Sequence, residues 1–336
     1  MKNFRQRNRR TIQRFLLILR RIKLPGFQGV GLYDVLRFFF LALSHPKFTL
    51  MASAMAFQFF FSLFPTLLVA VMVLRQLPFE GLQEAVLKFI VQFFPEGGLG
   101  SAELEEAAKS LFSSYFPDTP NPLVVAFLVL LALWGALRGI VAMMKAFSKQ
   151  NKKLFKRRKV WELYGMALVI FMVLGSIIIV GVALRLGVAY LMFYLSGDLE
   201  VISVGTAQFI SGGFELLITV VMLFCCISVL FFLAPATEQR WKFISPGAIL
   251  VVILMLAALV GLRSFFVNFT NYDQLYGSLT AIIVIMVWFY YLSIVMLIGF
   301  ELNSAIDIAS EEKRRLKERE EEIEEEMDIP LEIFEE

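Results

Sequence analysis

Six stretches almost free of charge recur along the chain, at 48–74, 123–144, 163–184, 209–233, 246–262 and 279–300. Only Arg138 and Glu215 interrupt them. A hydrocarbon layer about 30 Å thick takes roughly 20 residues of helix to cross, so each stretch reads as one span, the fifth being the shortest. Strict alternation over ten-residue segments, the mark of a membrane barrel, is missing. The pattern predicts an all-α fold, a polytopic membrane helix bundle with six transmembrane helices. Two further regions carry apolar residues at helical spacing. Residues 27–44 are apolar around Asp34 and Arg37, which predicts an N-terminal helix lying in the membrane interface. In the connection 75–122, the pieces 81–94 and 102–116 predict an outer helical cap. Seven acids against three bases make that cap acidic.

Charge placement orients the spans. Lys and Arg before the first stretch, in 145–162, at Arg240 and Lys242, and after Glu301 number 26, against five in the alternate connections. That asymmetry follows the positive-inside rule and places both termini in the cytoplasm. The first 23 residues are studded with Arg and Lys and do not read as a cleavable signal peptide. The expected organisation is a basic cytoplasmic arm at 1–26, a six-span membrane domain at 27–308 and a charged, largely acidic cytoplasmic tail at 309–336. From Glu311 onward there are 13 acids and five bases. The tail's first half pairs opposite charges at i,i+4, which predicts a solvated helix fraying after Pro330.

Composition narrows the chemistry. The chain is 58% hydrophobic and 18% charged, with mean hydropathy +0.72, well beyond a soluble domain. Cys225 and Cys226 are adjacent and His45 is the single histidine, so no Cys/His metal set can be assembled. No phosphate-binding glycine loop and no Ser/His/Asp or Cys/His pair appears. Metal-dependent phosphodiester cleavage needs clustered ligands, whereas the acids here sit singly in spans or in a tail that repels RNA. No catalytic residue, cofactor or metal is expected, and nucleic acid is not an expected partner. The basic arm, FRQRNRRTIQRFLLILRRIK, suits anionic lipid headgroups at the cytoplasmic face. Membrane lipids are therefore the expected partners, and a homo-oligomer is left open.

Polar groups inside spans are costly in lipid and mark candidate sites. Ala54, Gln58, Ser62 and Pro65 fall on one helix face, either lining a cavity or forming a packing face, with Pro65 kinking the span. Gly135 and Gly139 form a G-x-x-x-G step beside Arg138, which favours close helix approach. Arg138 and Glu301 occupy neighbouring depths in two spans running the same way. We expect them to pair, with Asn303 and Tyr290 in support, either as a conformational lock or with Arg138 anchoring a phosphate or carboxylate. Glu215, near the outer surface, is read as snorkelling.

The segment NYDQLYGSLTAIIVIMVWFYYLSIVMLIGFELNSAI resembles the signature of the YihY/BrkB family of bacterial inner-membrane proteins. The residues that carry it are Tyr272, Tyr276, Gly277, Ser278, Trp288, Tyr290, Gly299, Glu301, Leu302 and Asn303. SAMAFQFFFSLFPTLL, LWGALRGI and APATEQRWKFISPGA are similar to further family segments, and the resemblance covers about residues 30–308. Ser148 stands where the family usually has asparagine, and Leu137 or Ala136 where it has a small polar residue. The resemblance implies a six-span inner-membrane protein. Labels borne by such proteins include ribonuclease BN, a serum-resistance factor and transporters of lipid or small solutes. The expected function is a transporter or flippase-like protein for an amphipathic or anionic substrate. The alternative is a non-transporting scaffold of the cell envelope.

Overall fold

The computed structural model describes residue 22 and residues 24–76, 122–149, 158–196, 203–236, 241–268 and 279–327. The outer cap, the 272–278 turn and most of the basic arm lie outside the described residues. Within them the chain is all helix and turn: α1 (Leu32–Leu43), α2 (Lys47–Gln76), α3 (Pro122–Lys149), α4 (Val160–Ser196), α5 (Val204–Leu233), α6 (Pro246–Asn268) and α7 (Leu279–Met327). Four helical segments, Pro122–Ser148, Val160–Ser196, Gln208–Leu233 and Ile282–Ile323, are long and apolar enough to cross a membrane. Lys47–Leu63 and Pro246–Ala258 are shorter apolar pieces.

Chain order becomes spatial order. Each of α2 to α7 packs on the next, and α7 returns to α2, closing a ring. Polar outer faces are not needed in lipid, and the ring accordingly shows large exposed apolar residues, among them Phe57, Phe61, Phe127, Met172, Ile179 and Leu216. Its buried core draws Met51 and Met55 from α2, Met143, Met144 and Phe147 from α3, Ile170 from α4, Ile227 and Phe231 from α5, Val251 from α6 and Leu297 and Phe300 from α7. On α3, α5 and α7 these core residues lie near the C-terminal end of the apolar run, so the ring is sealed on one side.

Two expectations about helix extent change. The span read at 163–184 continues to Ser196 in a helix of 37 residues. The last span does not stop at Phe300. Helix α7 runs unbroken for 49 residues, about 73 Å at 1.5 Å per residue, so nothing separates a membrane part from the charged tail. Helix α1 stands against α7: Val30, Val35 and the partly buried Leu32, Phe38 and Phe39 pack with Leu302, Ala305, Ile306 and Ala309. Phe40 and Leu41 remain exposed on its other face.

Candidate functional site

The sealed side is built from aromatic rings and close helix contacts. Phe147 stacks on Phe300 with centroids 4.3 Å apart and planes 4° from parallel. Trp241 and Phe231 close around them, at 5.2 Å from Phe300 and 5.8 Å from Phe147 respectively. Beside this plug α6 crosses α7 at two glycines. A Cβ on Gly247 would meet the Gly299 carbonyl, and one on Gly299 would meet Val251. The glycines of SPGA and GFELN are thus explained by proximity between backbones.

The first turn of α6 is fully satisfied there. Ser245 precedes the helix, Pro246 has no amide hydrogen to satisfy, and the Gly247 amide donates to Asn303 Oδ1 at 2.8 Å. The Ala248 amide donates to Ser245 Oγ at 3.2 Å, and Asn303 Nδ2 donates to the same oxygen at 2.9 Å. Asn303 therefore caps a neighbouring helix and does not support an Arg138–Glu301 pair. A Ser-Pro-Gly run is a helix-start signal and could have revealed Ser245. Its partner 58 residues away was not readable.

Two further polar centres escaped sequence reasoning. Arg158, from the basic loop, donates to the carbonyls of Leu233, Ala234 and Pro235 at 2.9–3.2 Å. A guanidinium at the C-terminal end of α5 meets carbonyls that no longer have helical partners and complements the helix dipole. Asp307 accepts hydrogen bonds from Trp241 Nε1 and, at 3.1 Å, from Gln28 Nε2. It ties the plug's tryptophan and the turn before α1 to α7. Lys313 Nζ donates to the Gly29 carbonyl at 2.9 Å, six residues further on.

The structure does not join Arg138 to Glu301. Glu301 is 1% exposed, and its Oε1 has no hydrogen-bond partner among the described residues. Arg138 is exposed, with its guanidinium carbon 4.5 Å from the Trp134 ring centroid. Helical geometry gives the reason. Phe147 is level with Phe300, and Arg138 lies nine residues earlier on α3, roughly 13 Å away along the axis and half a turn round. It thus faces away from the plug.

The remaining candidates separate in the same way. Gly135 and Gly139 approach closely as read: a Cβ on Gly135 would lie 3.5 Å from Pro65 Cγ, and one on Gly139 would lie 3.3 Å from Phe59. Ser62 faces both glycines, its hydroxyl bonded at 2.9 Å to the Phe59 carbonyl. Ser62 and Pro65 are thereby a packing face, while Ala54 is exposed and Gln58 half-buried. Tyr290 packs against the core, and the neighbouring Tyr291 hydroxyl donates to the Leu254 carbonyl at 3.1 Å. Ser148 bonds back to the Met144 carbonyl at 2.8 Å. Glu215 does not merely snorkel, since Arg185 of α4 pairs with it at 3.3 Å. Among the described residues no group of three or more His, Cys, Asp or Glu could hold a metal ion.

Two relatives match most of this chain in sequence. The chain is 27% identical over 263 residues to the ribonuclease-like protein YfkH of Bacillus subtilis, covering 76% of this chain and 88% of that one. It is 24% identical over 266 residues to a UPF0761 membrane protein of Aliivibrio salmonicida, covering 78% and 79%. A UPF0761 membrane protein of Stenotrophomonas maltophilia matches over 83 residues at 28% identity, which is 25% of this chain and 20% of that one. No solved structure matches. The family model described as Virulence factor BrkB matches residues 39–324, and the chain belongs to that family.

Proposed function

We propose that this protein moves an anionic amphiphile, a phospholipid in the first instance, between membrane leaflets along the outer face of α3. The observation that carries this reading is Arg138, exposed on that face and drawn over Trp134. It lies 11 residues from the end of α3 at Lys149, about 16 Å of helix. Side chains lean toward a helix N-terminus, so Arg138 is directed away from its nearer membrane surface. A guanidinium at such depth costs about 2.5–3.5 kcal/mol on insertion scales, and a cation–π contact returns about 0.5–2 kcal/mol. A phosphate accepting two of its N–H groups compensates further. Lys145 is exposed two turns nearer the cytoplasmic end, on the same face. The pair gives a headgroup two cationic steps about 10 Å apart.

This reading includes the finer topology: six spans in a bacterial inner membrane, both termini cytoplasmic, with the aromatic plug at the cytoplasmic side. It involves no enzymatic step, no nucleic acid and no cofactor. A second reading, a non-transporting envelope scaffold, is favoured by the apolar filling of the ring's sealed side. The two part in a reconstitution with no other protein. Purified protein in liposomes exchanges a fluorescent anionic phospholipid between leaflets if it is a flippase-like carrier. Exchange no faster than in protein-free liposomes supports the scaffold.

A further inference from the structure

Beyond residue 311 helix α7 leaves the bundle. Every described side chain from Glu312 to Ile323 is exposed, and the helix runs on to Met327. On this stalk Leu316 and Ile323 are 55% and 54% exposed. Seven residues apart, they stand one above the other on a single face. Charge divides the stalk in two. All five bases lie at 313–319, where Arg315 pairs with Glu311 at 2.9 Å and Arg314 with Glu318 at 3.5 Å. Residues 320–327 carry six glutamates and no base, with like charges at 320/324, 321/325 and 322/326. Like charges at i,i+4 repel, so this helix gains stability from a cationic partner lying along it.

The chain supplies one. Residues 1–23 hold nine Lys and Arg and no acid, with Ile12, Phe15, Leu16, Leu17, Ile18 and Leu19 among them. The root of this arm is fixed beside the stalk. The Leu32 amide donates to the Ile22 carbonyl at 3.0 Å, Gln28 bonds to Asp307, and Lys313 reaches Gly29. The arm thus leaves the bundle where α7 becomes exposed, at the end of α1 remote from the ring's core. From Lys313 to the first glutamates of the acidic run is about 10 Å of helix, a distance that a few extended residues cover. A segment tethered this close has an effective concentration in the millimolar range.

We propose that the exposed part of α7 is the docking face for the chain's own basic N-terminal arm, residues 1–21. The Leu316–Ile323 ridge takes the arm's apolar residues, and the glutamates at 320–326 take its guanidinium groups. Anionic headgroups attract the same arm, but its root lies against the stalk, so the stalk is met first.

The test is limited trypsinolysis of the arm in full-length protein, held one copy per nanodisc of zwitterionic lipid. Cleavage at Arg14, Arg20 and Arg21 is read by intact mass. Replacing the six glutamates at 320–326 by glutamine keeps good helix formers on an exposed surface and leaves the bundle untouched. The wild-type arm is expected to be cut at least about fivefold more slowly than in this variant. Leu316→Ser with Ile323→Ser is expected to give part of the same acceleration, and 1 M salt to erase the difference. Equal cleavage of wild type and the glutamine variant overturns the proposal. So does protection that appears only in anionic discs, which assigns the arm to the membrane. Protection present only at several copies per disc assigns it to a second chain and overturns the proposal too. None of these outcomes depends on lipid movement.

Discussion

Asn303 on α7 accepts the Gly247 amide of α6 at 2.8 Å, beside the crossing where Gly247 and Gly299 bring the two backbones together. One side chain thus satisfies the start of one helix and fixes its position on another. Asn303→Ala leaves a buried amide unpartnered, which costs about 1–3 kcal/mol. A lower thermal midpoint in detergent is expected, together with a normal yield of Gly165→Ala as a control, since a Cβ at Gly165 meets nothing within 4 Å among the described residues. Gly247→Ala, whose Cβ has no room, is expected to fail to accumulate in the membrane.

Arg158 should matter more than its place in a loop of eight basic residues suggests. Its three carbonyl partners end α5. Arg158→Gln is expected to lower the thermal midpoint and to speed amide exchange in the last turn of α5. Lys159→Gln, on an exposed side chain, is expected to do neither. Equal effects of the two would contradict the capping role.

The Arg185–Glu215 pair links α4 and α5, with the arginine largely covered and the glutamate partly open. Either single replacement by the opposite charge is expected to loosen the hairpin. The double exchange, Arg185→Glu with Glu215→Arg, is expected to recover most of the loss. A double variant no better than the worse single one rules out a productive pair.

Among the described residues Glu301 has a buried oxygen without a partner, and a buried polar group left unsatisfied costs about 1–3 kcal/mol. Glu301→Met is therefore expected to raise the thermal midpoint or leave it unchanged. A loss approaching that of Asn303→Ala would show that the carboxyl has a structural partner.

What could be read in the sequence divides along physical lines. Hydropathy locates membrane helices because lipid demands long apolar runs. The Gly135/Gly139 step was legible because small residues at that spacing have one dominant use. Even the outward face of Arg138 was implicit, since nine residues from Phe147 is two and a half turns and so the opposite face, although Phe147 had to be known as a core residue first. Helix ends beyond the spans were illegible: Arg185 looked like a loop residue only because the apolar run stopped at Leu184. The pairings of Asn303 with Gly247, Asp307 with Trp241 and Arg158 with the end of α5 join residues 56 to 77 positions apart. Local pattern carries no information about which element a polar side chain will cap at that distance.

The leaflet-exchange rate of an anionic phospholipid in liposomes containing Arg138→Ala shows whether this guanidinium carries the headgroup. It is measured against wild type at matched protein density and thermal midpoint. A charge-assisted hydrogen bond contributes about 1.5–3 kcal/mol, and about 1.4 kcal/mol is a factor of ten. At least about a tenfold slower exchange is expected, with Arg138→Lys between the two. An Arg138→Ala protein that exchanges lipid as fast as wild type would contradict that role.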